Sequence, residues 1–586
     1  VFCRMFADWV HRHEHPRWTP ILIRLRDVAV LSNDFEETLA KAIDRDFAKT
    51  DSGWLTDRNV NFLFILDGFD ELLMEGRTSG GLDRFLDQVG RFQEQCDRNS
   101  EKNHRVLITG RTLSLQSIER SLPPNLERVE ILPMDDDLQT QWFVKWGRLM
   151  GQDPNYLKGI LKDPRLPDRL QELAREPLLL YLLGAMHRDG ALRLEMFDGA
   201  EGAKAKVLIY ETALDWVLTQ QRPDWLNRDI AELDTDSLRR ILMEAGLCVV
   251  QSGMEFARIG AIAQRLQQDS AAKQFLEAAQ QRLQDSEAPL RNALAAFYMQ
   301  SGRQGEGSIE FVHKSFGEFL CAERIVKSLI DWCQPGRNRE YDIQDAEFCW
   351  GMYDLLGCHV LTSEILELVI QLLLDFASNK LERLFDRLYS FYLSWQDGDF
   401  IDSLTENLPQ RKQRQIQDFR SSSNQKLGIR QIDVFTGLNT LCLILNIKKL
   451  SSIEKDDFYP FGNPSKLMNE DWTYLTLSRL INYSSCVSPT IFLRVVGPHL
   501  QGVNISRQFL ESANLSFLNL ENANIQNSYL FAANLTNANL KNANLTGARL
   551  EGIYWNEYTN WDNVIGLDKA IGVSDSLKQH LNIDRP

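Results

Sequence analysis

The stretch NFLFILDGFDEL, residues 61–72, sets the reading of the N-terminal part of the chain. Phe62 to Leu66 form an unbroken apolar run, bounded upstream by Asp57, Arg58 and Asn59 and downstream by Gly68. A run of this kind fits a strand buried on both faces of a parallel sheet. Ligands of open α/β sheets gather at the carboxyl ends of the strands, where Asp67 stands with Asp70 and Glu71 just beyond. Three carboxylates at one edge suit a magnesium ion, which takes one or two carboxylates together with phosphate oxygens. The alternative is a strand closed by an ordinary Asp-Gly turn. The full pattern, an apolar run followed by D-G-F-D-E, favours the nucleotide-site reading.

Working outward, PILIRL (20–25), RVLIT (105–109) and ERVEIL (127–132) are further short strand-like runs. Helical spacing in FEETLAKAIDRDF and LDRFLDQVGRFQEQC separates them, so the pattern predicts a parallel sheet covered on both faces. From about Asp135 helices take over, and residues 204 to about 300 read as mainly helical. AFYMQ, the turn SGRQGEGS and IEFVH then predict a β-hairpin that runs into the helix SFGEFLCAERIVKSLI. Residues 340–495 read as further helices without a chemical motif, interrupted by an exposed polar linker near QRKQRQIQDFRSSSNQK.

Composition bounds the function. With 586 residues and 67.5 kDa the chain exceeds one core and predicts three or four domains. A net charge of −16 argues against general nucleic-acid or anionic-membrane binding. Nine cysteines occur without a C-x-x-C pair, which reads as reduced, mostly buried thiols in a cytoplasmic protein. HRHEH (11–15) holds potential metal ligands but reads better as one charged helix face. The apolar helix ILELVIQLLLDF (365–376) is too short to span a bilayer.

From Val503 a five-residue period governs the chain: ESANL SFLNL ENANI QNSYL FAANL TNANL KNANL TGARL. Apolar residues stand at every fifth position from Ile505 to Leu550, with small residues such as Ala513, Ala523, Ser528 and Ala533 two places earlier. Neither helix nor flat strand has this period, so it marks a solenoid. The pattern closely resembles the pentapeptide-repeat family. That resemblance implies a right-handed, four-sided β-helix with one pentapeptide on each side and the Leu and small side chains inward. DNA mimicry by an acidic face is not expected, because Glu511, Glu521 and Glu551 are offset by Arg507, Lys541 and Arg549. A spacer or docking surface fits, with LDKAIGVSDSLKQHL closing the far end.

LFILDGFDEL, VLITGRT, REPLLLYLL and FVHKSFGEFLCAERI follow in this order over about 250 residues. Together they resemble a NACHT-type signalling ATPase of the STAND class, over residues 1 to about 335. The resemblance implies a multidomain chain: an incomplete α/β P-loop NTPase core (1–134), a helical domain (135–203) and a winged-helix-like domain (204–335). A helical sensor or linker region (336–500), a right-handed quadrilateral β-helix (501–556) and a cap (557–586) complete it. It implies ATP or ADP with Mg²⁺ as cofactors. Asp67 would hold the metal through water, while Asp70 and Glu71 would position or activate the attacking water. Arg111 would reach the terminal phosphate, in a T-G-R sequence where the family more often shows T-S-R. Pro177 would pack on adenine, and His313 would touch a phosphate of bound ADP.

The chain contains no Gly-Lys pair and therefore no G-x-x-x-x-G-K-[ST] loop. VFCRMFADWV resembles the helix that follows that loop, so G-K-[ST] is expected immediately before Val1, and the sequence reads as a fragment that also lacks a central strand. The first functional expectation is a nucleotide-operated switch of bacterial origin, with slow hydrolysis, a trigger ligand or protein still to be named, and self-association on activation. The second is a non-catalytic scaffold that uses the helical region and the pentapeptide repeats. Neither involves nucleic acid or a membrane.

Overall fold

The computed structural model of the chain describes residues 2–25, 28, 34–43, 54–56, 60–68, 79–99, 103–109, 123, 125–127, 129, 132–151, 153–161, 174–191, 202–219, 235–253, 256–267, 299–301, 308–311, 314–337, 339–402, 407–419, 427–451, 458–462 and 477–581. Two compact units divide it. One comprises residues 1–127, 344–361 and 382–586, the other 128–343 and 362–381.

The first unit begins with α1 (Phe2–His13), β1 (Thr19–Arg24), α2 (Phe35–Ala42), β2 (Phe62–Asp67), α3 (Ser79–Arg98) and β3 (Arg105–Ile108). The three strands pair in parallel in the order β1-β2-β3, with Thr19 opposite Phe62 and Leu63 opposite Arg105. Successive side chains of a strand alternate between faces. Phe62, Phe64 and Leu66 therefore join one core with Phe35, Leu39, Phe85, Val89 and Phe92 of α2 and α3. The opposite parity, Leu63, Ile65 and Asp67, lies on the other face, where α1 buries Cys3 and Val10. His104 fastens the start of this sheet. Its Nδ1 accepts from the Phe62 N–H (3.1 Å), which places the ring proton on Nε2, 2.8 Å from the Leu55 carbonyl. Gln93 of α3 accepts the outward Val106 N–H at 3.1 Å, so a side chain satisfies part of the edge of β3.

Of the strand-like run 127–132, residues 128, 130 and 131 lie outside the described residues.

The second unit holds α4 (Asp136–Met150), α5 (Pro154–Leu161), α6 (Pro177–Arg188), α7 (Ala203–Thr219), α8 (Thr235–Gln251), β4 (Phe256–Arg258), α9 (Ile259–Leu266), β5 (Met299–Ser301), β6 (Ser308–Phe311) and α10 (Lys314–Trp332). Asp135 caps α4 by accepting the Leu138 N–H at 2.7 Å. The expected hairpin is present, β5 pairing antiparallel with β6, and β4 adds on the other edge of β6. β4 is three residues long and carries no alternation that the sequence could reveal. α8 and α10 pack closely because Gly246 lacks a side chain: a Cβ there would lie 2.8 Å from that of Leu320 and 2.9 Å from the Gly317 carbonyl. After α11 (Asp345–Leu356), which belongs to the first unit, α12 (Ser363–Leu373) packs on α7 and α10.

The first unit resumes with α11 and continues through α13 (Ser378–Asp397), α14 (Leu408–Phe419), α15 (Ile429–Ser451), α16 (Leu477–Ser484) and α17 (Ile491–Val495). The segment read as an exposed linker is corrected in part: its described portion is the helix α14, and Lys412 is 1% exposed, paired with Asp354 at 2.8 Å. A distant carboxylate on α11 makes that lysine burial tolerable, and the polar local sequence cannot announce it. On α15, Asp433 is buried and accepts from three aromatic donors: Tyr353 Oη (2.5 Å), Tyr483 Oη (2.7 Å) and Trp395 Nε1 (3.0 Å).

Residues 504–554 form parallel bridges twenty residues apart, from Asn504 with Asn524 to Asn534 with Tyr554. Four pentapeptides thus make one coil. Ile505, Leu510 and their successors to Leu550 are buried, as are Ala523, Ser528 and Ala533 two places before theirs. Asparagines before the buried apolar residue explain the corners: Asn514, Asn524, Asn534 and Asn544 each accept the backbone N–H two residues on, at 3.1 to 3.2 Å. The ladder continues past 556, where Asn560, Ile565 and Ile571 pair with Asn539, Asn544 and Arg549. α18 (Asp575–His580) follows and buries Leu577 completely. At the other end the Ser478 hydroxyl donates to the Phe509 carbonyl (2.8 Å) and the Asn519 N–H to the Gly497 carbonyl (3.1 Å).

Candidate functional site

Asp67 ends β2, the middle strand of the parallel sheet, at its carboxyl edge. Its parity puts the carboxylate on the α1 face, and the first turn of α1 meets it there. Thr109, one residue beyond β3, donates its hydroxyl to Asp67 Oδ1 at 2.8 Å. The Cys3 thiol donates to the same oxygen at 3.1 Å, and Cys3 Sγ lies 3.5 Å from the Thr109 hydroxyl. The Thr109 N–H continues the sheet by bonding the Leu66 carbonyl at 2.9 Å. Asp67 is half-buried, and among the described residues its Oδ2 has no hydrogen-bond partner.

Burial pushes the Cys3 thiol up to about 11, and the neighbouring Asp67 adds to the shift. The thiol therefore stays protonated near neutrality and acts as a donor. One carboxylate oxygen is held by two donors, and the other can accept from a water or a metal-bound water.

The sequence singled out Asp67 but assigned no role to Cys3 or Thr109. Thr109 was legible as the residue closing the next strand; Cys3 was not, because its contact depends on how α1 crosses the sheet. Asp70, Glu71, Arg111 and His313 lie outside the described residues. Pro177 occupies the first position of α6 and is exposed. A proline there satisfies the helix start without a ligand, since that N–H would be unpaired in any residue. HRHEH ends α1 and continues beyond it, and among the described residues no cluster of three metal-ligating side chains forms.

The β-helix presents a second surface. Phe509 and Tyr529 stack with ring centroids 4.7 Å apart, and the Arg549 guanidinium lies 5.7 Å from the Tyr529 ring. Phe517, Phe531 and Tyr554 are also exposed.

Comparison with known families matches residues 513–552 to pentapeptide repeats, in eight copies. No curated protein matches the chain. Among the described residues no helix is long and apolar enough to cross a membrane.

Proposed function

We propose that the chain carries the core of a nucleotide-operated switch, in which Asp67 orients a water on Mg²⁺ bound to ATP or ADP. The observation that carries this reading is the placement of Asp67. It stands at the carboxyl edge of the central parallel strand, with one oxygen fixed by Thr109 and by Cys3 of α1. Magnesium would supply charge neutralisation for the phosphates. Thr109 and Cys3 fix Oδ1 of the carboxylate, and among the described residues Oδ2 has no hydrogen-bond partner.

The antiparallel sheet β4-β6-β5 leading into α10 supports the winged-helix part of the same reading. In this scheme Arg111 and His313 contact phosphate, Pro177 contacts adenine, and Asp70 and Glu71 act on the attacking water. Nucleotide exchange then controls self-association.

The test is Mg²⁺-dependent binding of a fluorescent ATP analogue to the protein purified from its native source. Asp67→Ala should reduce the Mg²⁺-dependent part of the affinity at least tenfold and leave the fold intact by circular dichroism. Undiminished Mg²⁺-dependent binding would rule out the assignment.

A scaffold reading rests on a different observation, the exposed aromatic residues of the β-helix. It requires no nucleotide, and loss of partner binding on deleting residues 501–586 with nucleotide response absent throughout would favour it.

A further inference from the structure

The residue before each inward apolar side chain points outward, and these residues line up in one column on each side of the β-helix. Three columns are mostly asparagine: Asn504, Asn524 and Asn544; Asn514 and Asn534; Asn519, Asn539 and Asn560. Each of these asparagines closes its corner by accepting the backbone N–H two residues on, at 2.9 to 3.4 Å. The fourth column breaks the rule and reads Phe509, Tyr529, Arg549 and Ile571. On this one side the sequence replaces a local corner contact with exposed aromatic, aliphatic and cationic side chains. Beside that column, beyond the inward Leu510, Leu530 and Leu550, stand Glu511, Phe531 and Glu551.

We propose that this side of the β-helix docks a basic amphipathic helix of a partner protein, laid along the coil axis between the two columns. The proposal rests on the scaffold reading, which it deepens, and is independent of Asp67. Coils repeat every 4.8 Å or so and helix turns about every 5.4 Å, so one side chain per turn can meet one coil over this length. From Phe509 to Ile571 the strip runs only about 14 Å. Two side chains wide, it falls well short of the roughly 800 Å² per partner of a standard interface between folded proteins. A single segment of a partner therefore fits it better than the face of a second copy.

Charge and ring geometry narrow the occupant. Arg549 pairs with Glu551 at 3.4 Å, whereas exposed Glu511 has no salt bridge among the described residues. The face is left with one negative charge on a chain of net charge −16, which favours a basic segment. Phe509 and Tyr529 stack within 12° of parallel, and Arg549 lies over Tyr529 from the next coil. The rings of this column thus turn their faces to one another and their edges outward. A nucleobase stacks on an open ring face, but aliphatic side chains pack against edges, as in an apolar groove that receives a helix.

Fluorescence anisotropy of the full chain with a labelled amphipathic helix of Leu and Lys tests the proposal. The controls are the same helix with Glu for every Lys and a shuffled Leu/Lys peptide without an apolar face. Saturable binding of the first is expected, at least tenfold tighter than of either control. Tyr529→Asn/Phe531→Thr should weaken it at least tenfold without lowering the thermal midpoint. Asn534 and Thr536 occupy the equivalent positions of the next side and close its corner. Neither substitution alters charge, so general attraction of the peptide to an acidic chain would survive both. Glu511→Gln should weaken binding a few-fold and reduce its salt dependence. No saturable binding, or equal affinity in the wild type and the double variant, overturns the proposal, and equal binding of the Glu peptide overturns the basic occupant. Loss of binding on deleting residues 501–586 but not in the double variant keeps the scaffold reading and overturns this face. A dimer of the full chain that the double variant dissociates, seen by sedimentation, would overturn the helix in favour of a second copy. Should the double variant fail to fold, Glu511→Gln decides: unchanged affinity overturns the site.

Discussion

The N-terminal sheet and the C-terminal β-helix both use parallel pairing, yet they are held together in different ways. In the sheet, Phe64 reaches core partners on helices before and after it in the chain, and His104 ties Phe62 to Leu55. Stability there depends on one non-local core. In the β-helix each coil pairs with equivalents twenty to twenty-two residues away, and corners are closed by local asparagine contacts. Its stability is close to a sum over neighbouring coils. A carboxylate held by side chains from separate elements, as Asp67 is by Cys3 and Thr109, needs the first kind of framework. A repeated surface needs only the second.

Truncation of core side chains should break the comparison most sharply. Phe64→Ala is expected to cost about 3–5 kcal/mol and Leu540→Ala about 2–5 kcal/mol. The distribution of the damage should differ. Hydrogen exchange after Phe64→Ala should rise across β1, β2, β3, α2 and α3 together. After Leu540→Ala it should rise in the coils adjoining 520 and 560 and fade beyond them. Uniform loss of protection along the whole β-helix would refute its coil-by-coil character.

The difference also governs what the sequence could reveal. β2 is read at its observed bounds and β1 and β3 to within one residue, because buried parallel strands show unbroken apolar runs. The five-residue period exposes the coils for a similar reason: burial recurs at fixed spacing. It fails after 556, where partners become twenty-one and then twenty-two residues apart, as with Asn539 and Asn560 and with Arg549 and Ile571. Extra residues at the corners hide a coil from the pattern while leaving its ladder intact. The Asp433 cage was invisible because its donors, Tyr353, Trp395 and Tyr483, come from three separate helical segments. Cys3 at Asp67 was missed for the same reason. Residues that act through distant partners carry no local signature.

A pH experiment sharpens the contrast at the base of the β-helix. Ionisable side chains are absent from the inward apolar and small positions of residues 503–550, whereas His499, just before the first coil, is partly buried beside Asn446. Burial, reinforced by Lys449, lowers His499 from 6.5 to about 4. Above pH 6.5 both folded and unfolded chains hold it neutral, and its contribution is complete. As the pH falls from 6.5 to 4 the unfolded chain binds a proton that the folded chain resists, so stability declines and levels off below 4. The loss is at most about 3 kcal/mol. His499→Gln should flatten this part of the stability profile relative to the wild type. An identical slope in both proteins would assign the acid sensitivity elsewhere.

The smallest effect concerns the corners. From Gly502 to Gly552 every fifth residue adopts a left-handed backbone, a conformation that glycine accepts freely and asparagine tolerates. Asn522, Asn527, Asn537 and Asn542 follow that rule, but Phe517 has φ 63°. Its ring is 46% exposed, so burial returns only part of the backbone cost. Phe517→Asn should therefore stabilise the β-helix by about 1 kcal/mol, read as a small rise in its thermal midpoint. A lower midpoint would show that the ring packs well enough to outweigh the strain. If the midpoint rises while binding of a protein partner weakens, the aromatic side chain is kept for contact at the expense of stability, and the docking role of this surface is strengthened.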